Sequence, residues 1–306
     1  MEEQYVRYLS DFMEWEQLPH ATDWVLFEEN LSEYISIDET CLSQGELYTV
    51  VTNKLAKGKK GALIAMIKGT DSEYVSTILS NIAESKRNKV KEVTLDMAAS
   101  MQKIVRCCFP KAQQVTDRFH VQKLAFEALQ QIRIERRWEA IEQENKEIDL
   151  SKELGKTFVP NRLENGDTMK QLLARSRYLL FKQENKWVPS QAQRAELLFK
   201  HYPDIEKAYN LCRELSGIYE KTKHKGVAFT ALARWYDKVD KAGFKSFNTI
   251  ASTIQHNYLT ILNYFDNRST NASAESFNAK IKAFRTQFRG VRNVSFFLYR
   301  LSKIYA

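Results

Sequence analysis

The apolar residues of this 306-residue chain change their period near Val121, and that change limits the folds open to it. From about Glu33 to Asp117 they come in short β-type runs: Tyr34–Ile37, Leu47–Val51, Ala62–Ile67, Val90–Leu95 and a run ending near Thr116. Helical-period stretches, Ser72–Ser85 and Ala98–Cys108, separate the later runs, giving the order β-β-β-α-β-α-β. The first three runs are joined by short links around Gly45 and through Lys57-Gly58-Lys59-Lys60-Gly61, which suit hairpins. An antiparallel meander followed by helical crossovers predicts an α/β fold with a mixed five-stranded sheet, and permits the strand order 3-2-1-4-5.

Beyond Val121 the β signal vanishes, and long amphipathic segments such as Ala192–His201 and Ile205–Tyr219 predict an all-helical stretch to about Phe265. Within it the polar tract Asn145–Asp167, with Gly155, Pro160 and Gly166, reads as a loop. A final helical run is expected from about Ala272 to Tyr305. The chain therefore divides into an N-terminal helical lead-in (1–32), the first part of the sheet-bearing core (33–121), a helical insertion (122–265), and a C-terminal helical part of the core (266–306).

Composition narrows the partners. With 46 Lys and Arg against 38 Asp and Glu, the net charge of +8 favours a polyanion, since each cation laid on a phosphate releases a condensed counterion. Cys41, Cys107, Cys108 and Cys212 form no CxxC pair and lie at no zinc-ligand spacing, which argues against a zinc finger or a disulfide scaffold. No run of 18 or more apolar residues and no apolar leader is visible, so a cytoplasmic location with no membrane association is expected.

Two aspartates stand where chemistry gathers in such sheets. Asp38 follows Tyr34–Ile37 and is expected at or just past the carboxyl end of the first strand; Asp96 holds the same position after Val93-Thr94-Leu95. In the order 3-2-1-4-5 those strands are neighbours at the point where the sheet order reverses, where ligands collect. Carboxylates held side by side repel unless a hard divalent cation lies between them. A third acid, Glu275, falls in the first turn of the last helical run, after the capping residues Ser269 to Asn271. Lys280, Lys282, Arg285, Arg289 and Arg292 follow at helical pitch and suit contact with a phosphate backbone.

The segments Ser36-Ile37-Asp38-Glu39-Thr40, Gly45-Glu46-Leu47-Tyr48-Thr49-Val50-Val51-Thr52-Asn53-Lys54, Leu95-Asp96-Met97, Phe109-Pro110, Asp117-Arg118-Phe119-His120-Val121-Gln122-Lys123 and Glu275-Ser276-Phe277-Asn278-Ala279-Lys280-Ile281-Lys282 together resemble the DDE transposases of bacterial insertion sequences, specifically the ISL group. Trp187–Gln191 and Tyr202–Ile205 extend the resemblance into the helical middle. The resemblance implies an RNase H-like fold with a helical insertion between the second Asp and the Glu, and Asp38, Asp96 and Glu275 as the catalytic, metal-binding acids. It implies two magnesium ions, with manganese able to substitute, and DNA cleavage followed by strand transfer. It also implies double-stranded DNA, both element ends and target, as partner, with a homodimer formed on DNA. Members of the group carry a zinc-binding and helix-turn-helix region ahead of the catalytic core. The stretch before Asp38 has no room for one, so the chain is expected to be either a separately encoded catalytic half that works with a DNA-binding partner or a fragment.

Asp117 rivals Asp96 for the second acid, since it too ends a β-type run; Asp96 is preferred because its strand should neighbour the first. His120, three residues after Asp117, is carried as an auxiliary active-site residue. Arg118 joins the DNA-contact candidates, with weaker claims for Lys57, Lys59 and Lys60. Trp187 and Trp235 are candidates for holding a flipped base. The competing functions are a nuclease of the same fold that cuts without joining, and a catalytically silent DNA-binding regulator descended from a transposase.

Overall fold

The computed structural model describes residues 4, 6, 8–43, 45–287 and 290–306. The chain forms two compact units: Met1–His120 together with Asn257–Ala306, and Val121–His256.

The first unit is built on a sheet of six strands: β1 (Trp24–Leu26), β2 (Tyr34–Ser43), β3 (Glu46–Asn53), β4 (Leu63–Lys68), β5 (Glu92–Leu95) and β6 (Gln113–Thr116). Between β4 and β5 lie α1 (Ser72–Leu79) and α2 (Glu84–Arg87), and between β5 and β6 lies α3 (Ala99–Cys108). The sheet order is β1-β4-β3-β2-β5-β6. The pairs β1/β4, β4/β3 and β3/β2 are antiparallel, whereas β2/β5 and β5/β6 are parallel.

This corrects the expected strand count from five to six: the five expected strands keep the relative order 3-2-1-4-5, and the whole sheet gains an edge strand. Trp24–Leu26, assigned to a helical lead-in, adds an edge strand beside β4. Three residues are too few for a period to show, and flanking 3-10 turns at Leu18–His20 and Glu28–Asn30 supply the helical character that the sequence suggested.

Period-2 alternation sends alternate residues of each strand to opposite faces. Ile35, Ile37, Val93 and Leu95 pack with Val75 and Leu79 of α1 and Met101, Ile104 and Val105 of α3. Leu42, Tyr48, Val50, Leu63 and Met66 pack on the other face, against two helices that arrive from the end of the chain. Before them the chain passes through α4 (Arg118–Glu153), α5 (Met169–Arg175), α6 (Pro189–His201), α7 (Pro203–Lys221), α8 (Lys225–Ala242) and α9 (Lys245–His256), and then through the short α10 (Tyr258–Leu262) and α11 (Tyr264–Asn267). The closing helices are α12 (Ala272–Gln287), which lays Phe277, Ile281 and Phe284 on the sheet, and α13 (Val294–Tyr305), which adds Phe297, Leu298 and Leu301.

The single closing helix expected from Ala272 to Tyr305 is thus two. Gly290 takes a φ of 113°, a left-handed region that few side chains tolerate, and Asn293 caps α13 by accepting from the Phe296 N–H at 3.0 Å. Likewise α4 runs to Glu153, so the expected Asn145–Asp167 loop begins about nine residues late. Glu, Lys and Gln there are good helix formers, and polarity alone did not break the helix. Among the described residues no helix is long and apolar enough to cross a membrane.

Candidate active site

Strand register brings the aspartates into line. Parallel pairing of β2 with β5 ends at Ser36 opposite Thr94, and two residues further along each strand come Asp38 and Asp96. Pairing of β5 with β6 ends at Leu95 opposite Thr116, and the Asp117 N–H still donates to the Leu95 carbonyl at 2.9 Å, which sets Asp117 beside Asp96. Asp38 itself lies within β2, paired with Val50 of β3, rather than at its end; the strand runs on to Ser43 because β3 continues to pair with it after β5 has stopped.

Each carboxylate is held differently. Asp38 accepts from the Glu39 N–H at 2.9 Å through Oδ1, and from Asn278 Nδ2 at 2.8 Å through Oδ2. Asp96 Oδ1 accepts from the Ala98 N–H at 2.8 Å, at the entry to α3. Asp117 is buried; its Oδ1 accepts from the Asn271 N–H at 3.2 Å and its Oδ2 has no hydrogen-bond partner. His120 stands in the first turn of α4 and Glu275 in the first turn of α12, where the Glu275 N–H donates to the Asn271 carbonyl at 3.0 Å. Asp117, His120 and Glu275 offer three ligand atoms that all lie within 4.8 Å of one another.

The electrostatics are those of crowded acids. Burial raises the Asp38 pKa above the ordinary carboxylate range; the charges of Asp96 and Asp117 push the same way, against the Glu39 N–H and His120. Burial also raises Glu275, helped by Asp117 and Asp38 and opposed by His120, and it raises Glu39, with Asp96 and Asp38 adding to the shift. Acids gathered so closely, one with a buried oxygen left unpaired, are residues that a hard divalent cation fits.

Sequence reasoning missed the supports of this cluster. Asn278 lies three residues after Glu275, one helical turn along the same face, and its buried Oδ1 is unpaired. The Asn271 side chain is fully buried with neither polar end satisfied. Below the aspartates, Lys54 Nζ donates to Thr94 Oγ1 at 2.7 Å and pairs with the buried Glu92 at 3.3 Å, while Asn267 Nδ2 donates to the other Glu92 oxygen at 3.2 Å. The signal available for Glu92 and Thr94 was their two-residue spacing from Asp96 along one strand.

The expected DNA contacts are more scattered than a single helical stripe. Lys282 is exposed and Arg285 half-buried on α12, whereas Arg292 is exposed in the link to α13, and Arg289 lies outside the described residues. Lys280 is engaged internally, donating to the Gly58 carbonyl at 2.7 Å. Arg118 donates to the Tyr264 hydroxyl at 3.3 Å, and Lys57, Lys59 and Lys60 are exposed. In the helical unit, Trp235 is buried with its indole N–H on the Leu211 carbonyl, and Trp187 is bonded to the Leu179 carbonyl and packs beside Phe199 and Tyr209. Burial of Trp235 makes it a packing residue, which corrects the base-holding role considered for it, whereas Trp187 is half-buried.

Fold and cluster together define an α/β protein that collects carboxylates where neighbouring parallel strands end. The chain belongs to the DDE_Tnp_ISL3 family, described as Transposase, whose family model matches residues 35–301. It is similar to the transposase for insertion sequence element IS1001 of Bordetella parapertussis, at 21% identity over 271 residues, covering 88% of this chain and 60% of that protein. The chain thus spans about 60% of the length of that curated relative. No solved structure matches it.

Proposed function

We propose that this chain is the catalytic core of an ISL-group DDE transposase with an RNase H-like sheet, which cuts DNA at the ends of an insertion sequence and joins the freed ends to a target. The observation that carries the reading is the alignment of Asp38 on β2 with Asp96 and Asp117 just past the ends of the adjacent β5 and β6, with Glu275 brought by α12 within ligand distance of Asp117 and His120. Asp38, Asp96 and Glu275 are the proposed metal-holding acids, and Asp117 and His120 complete the set.

Two magnesium ions, or manganese in their place, would supply Lewis-acid activation of the attacking oxygen and stabilisation of the leaving one. The chain's own part is orientation. Asn278 and the Glu39 N–H fix the Asp38 carboxylate, and the Ala98 N–H fixes Asp96. The Asn271 N–H fixes Asp117. His120 opposes the raised pKa of Asp38 and Glu275 and so keeps both closer to the charged form that binds a cation. Double-stranded DNA is the proposed substrate, with a homodimer forming on DNA.

The test is cleavage and joining of a supercoiled plasmid bearing element ends by wild type, Asp38→Ala and Glu275→Ala, with magnesium, manganese or EDTA and with a candidate end-binding partner. Metal-dependent cutting and joining lost in both variants is the expected result. Cutting without joining would favour the nuclease reading, and binding without cutting under every condition would favour the regulator.

A further inference from the structure

Between Val121 and His256 there are 24 Lys and Arg against 18 Asp and Glu, a net of +6 out of the whole chain's +8. The basic character therefore resides mainly in the helical unit, whereas the acid cluster belongs to the other. From Arg213 to Lys245 eight cations stand against four acids, and this stretch forms the hairpin of α7 and α8.

The hairpin encloses an open groove of about 920 Å³. One wall is the α7 face Arg213, Gly217, Lys221, at four-residue spacing; the other is the α8 face Gly226, Thr230, Arg234, Lys238, at the same spacing. On α7 the cations flank Gly217, and on α8 Gly226 and Thr230 precede Arg234 and Lys238. Most cations in this unit that lie near acids are paired: Arg136 with Asp204, Lys170 with Glu144, and Arg175 and Arg194 with Asp167. In the groove Lys238 holds Glu214 at 2.7 Å, which neutralises the one carboxylate on its lining. Arg213, Lys221 and Arg234 have no ion-pair partner among the described residues. Arg213, Gly217 and Lys221 also border an adjoining depression that carries Glu184 and Glu220, whereas Arg234 and Lys238 line the groove alone.

We propose that this groove binds the phosphodiester backbone of duplex DNA, as a second DNA contact separate from the acid cluster; the inference rests on the transposase reading for its substrate. Arg213 and Lys221, eight residues apart, span about 12 Å along α7, the axial length of roughly three phosphates on one strand. Arg234 faces them across the valley. Gly217 and Gly226 leave room for a backbone to approach, and the proposed contacts are to phosphates, so the contact is positional rather than sequence-reading.

The test uses the full chain and a labelled duplex of mixed sequence, titrated at several salt concentrations. Replacing Arg213, Lys221 and Arg234 together with Gln should weaken binding at least about tenfold and flatten the salt dependence by roughly 0.9 in log-log slope per contact removed. Gly217→Glu is the second arm. A Cβ at Gly217 meets nothing within 4 Å, and glutamate is the better helix former, so this variant should melt no lower than wild type while binding DNA more weakly. Lys146→Ala, Lys156→Ala and Lys186→Ala together remove the same charge from exposed positions away from the groove and should cost far less. Equal losses in the groove and control triples, or a Gly217→Glu protein that binds as wild type does, would overturn the groove. Wild type that binds no duplex at any salt would sink the transposase reading with it.

Discussion

Asn278 donates to Asp38 across 240 residues of chain, at 2.8 Å, from a helix that carries Glu275 one turn earlier. One element thus supplies an acid and orients another. Asn278→Ala should lower cleavage and manganese affinity by about 10- to 100-fold, the usual cost of losing a group that orients a metal-binding carboxylate. Calorimetric titration with manganese reads the affinity directly, and an unchanged affinity with lowered cleavage would mean that Asn278 acts elsewhere than on Asp38.

The two candidates for the second acid separate by substitution. Asp96→Ala should reduce cleavage to background, whereas Asp117→Asn, which keeps the acceptor for the Asn271 N–H, should retain measurable activity at high manganese. His120→Ala should raise the metal concentration required without abolishing turnover. Plasmid nicking across a manganese series distinguishes these outcomes, and a dead Asp117→Asn beside an active Asp96→Ala would exchange the two roles.

The raised carboxylates carry a pH signature. Burial holds Asp38 and Glu275 above their unfolded values near 4, so the folded protein binds more protons than the unfolded chain in the interval between the two. Their contribution is most favourable below the unfolded pKa, and stability falls as pH rises through the interval toward the raised values. Asp38→Asn should flatten that fall and melt higher than metal-free wild type at neutral pH, while losing activity. Calorimetric melting from acid to neutral pH in EDTA checks it; parallel curves for the two proteins would contradict the repulsion.

Lys54 and Glu92 form a buried pair under the aspartates, with side chains 13% and 2% exposed. Lys54→Met leaves the Glu92 charge uncompensated and should cost about 3–5 kcal/mol in urea unfolding. Adding Glu92→Leu to Lys54→Met should restore much of that loss, since a buried ion pair is frequently replaceable by apolar packing.

Legibility followed the range of the interaction. The strands β2 to β6 declare themselves through short local apolar runs, and Asp38, Asp96 and Glu275 stand out as acids that follow such a run or open a helix. Trp24–Leu26 was invisible as a strand because its partner, Ala65 to Ile67, lies forty residues on, and three residues make no pattern. The length of β2 beyond Asp38 depends on β3, again a partner rather than a propensity. Asn271, Asn278 and Lys54 act through contacts that span much of the chain, and a polar residue's sequence neighbours do not say which distant group it meets.

The order of the acids along the chain bears on when, under the proposed function, the protein would become able to damage a genome. Asp38, Asp96 and Asp117 leave the ribosome early, but Glu275 and Asn278 follow the entire helical unit, and α12 must reach the sheet before the cluster is whole. On the proposed reading, chains stalled or proteolysed before α12 hold the three aspartates without Glu275 or Asn278, and such abortive products should not cut DNA.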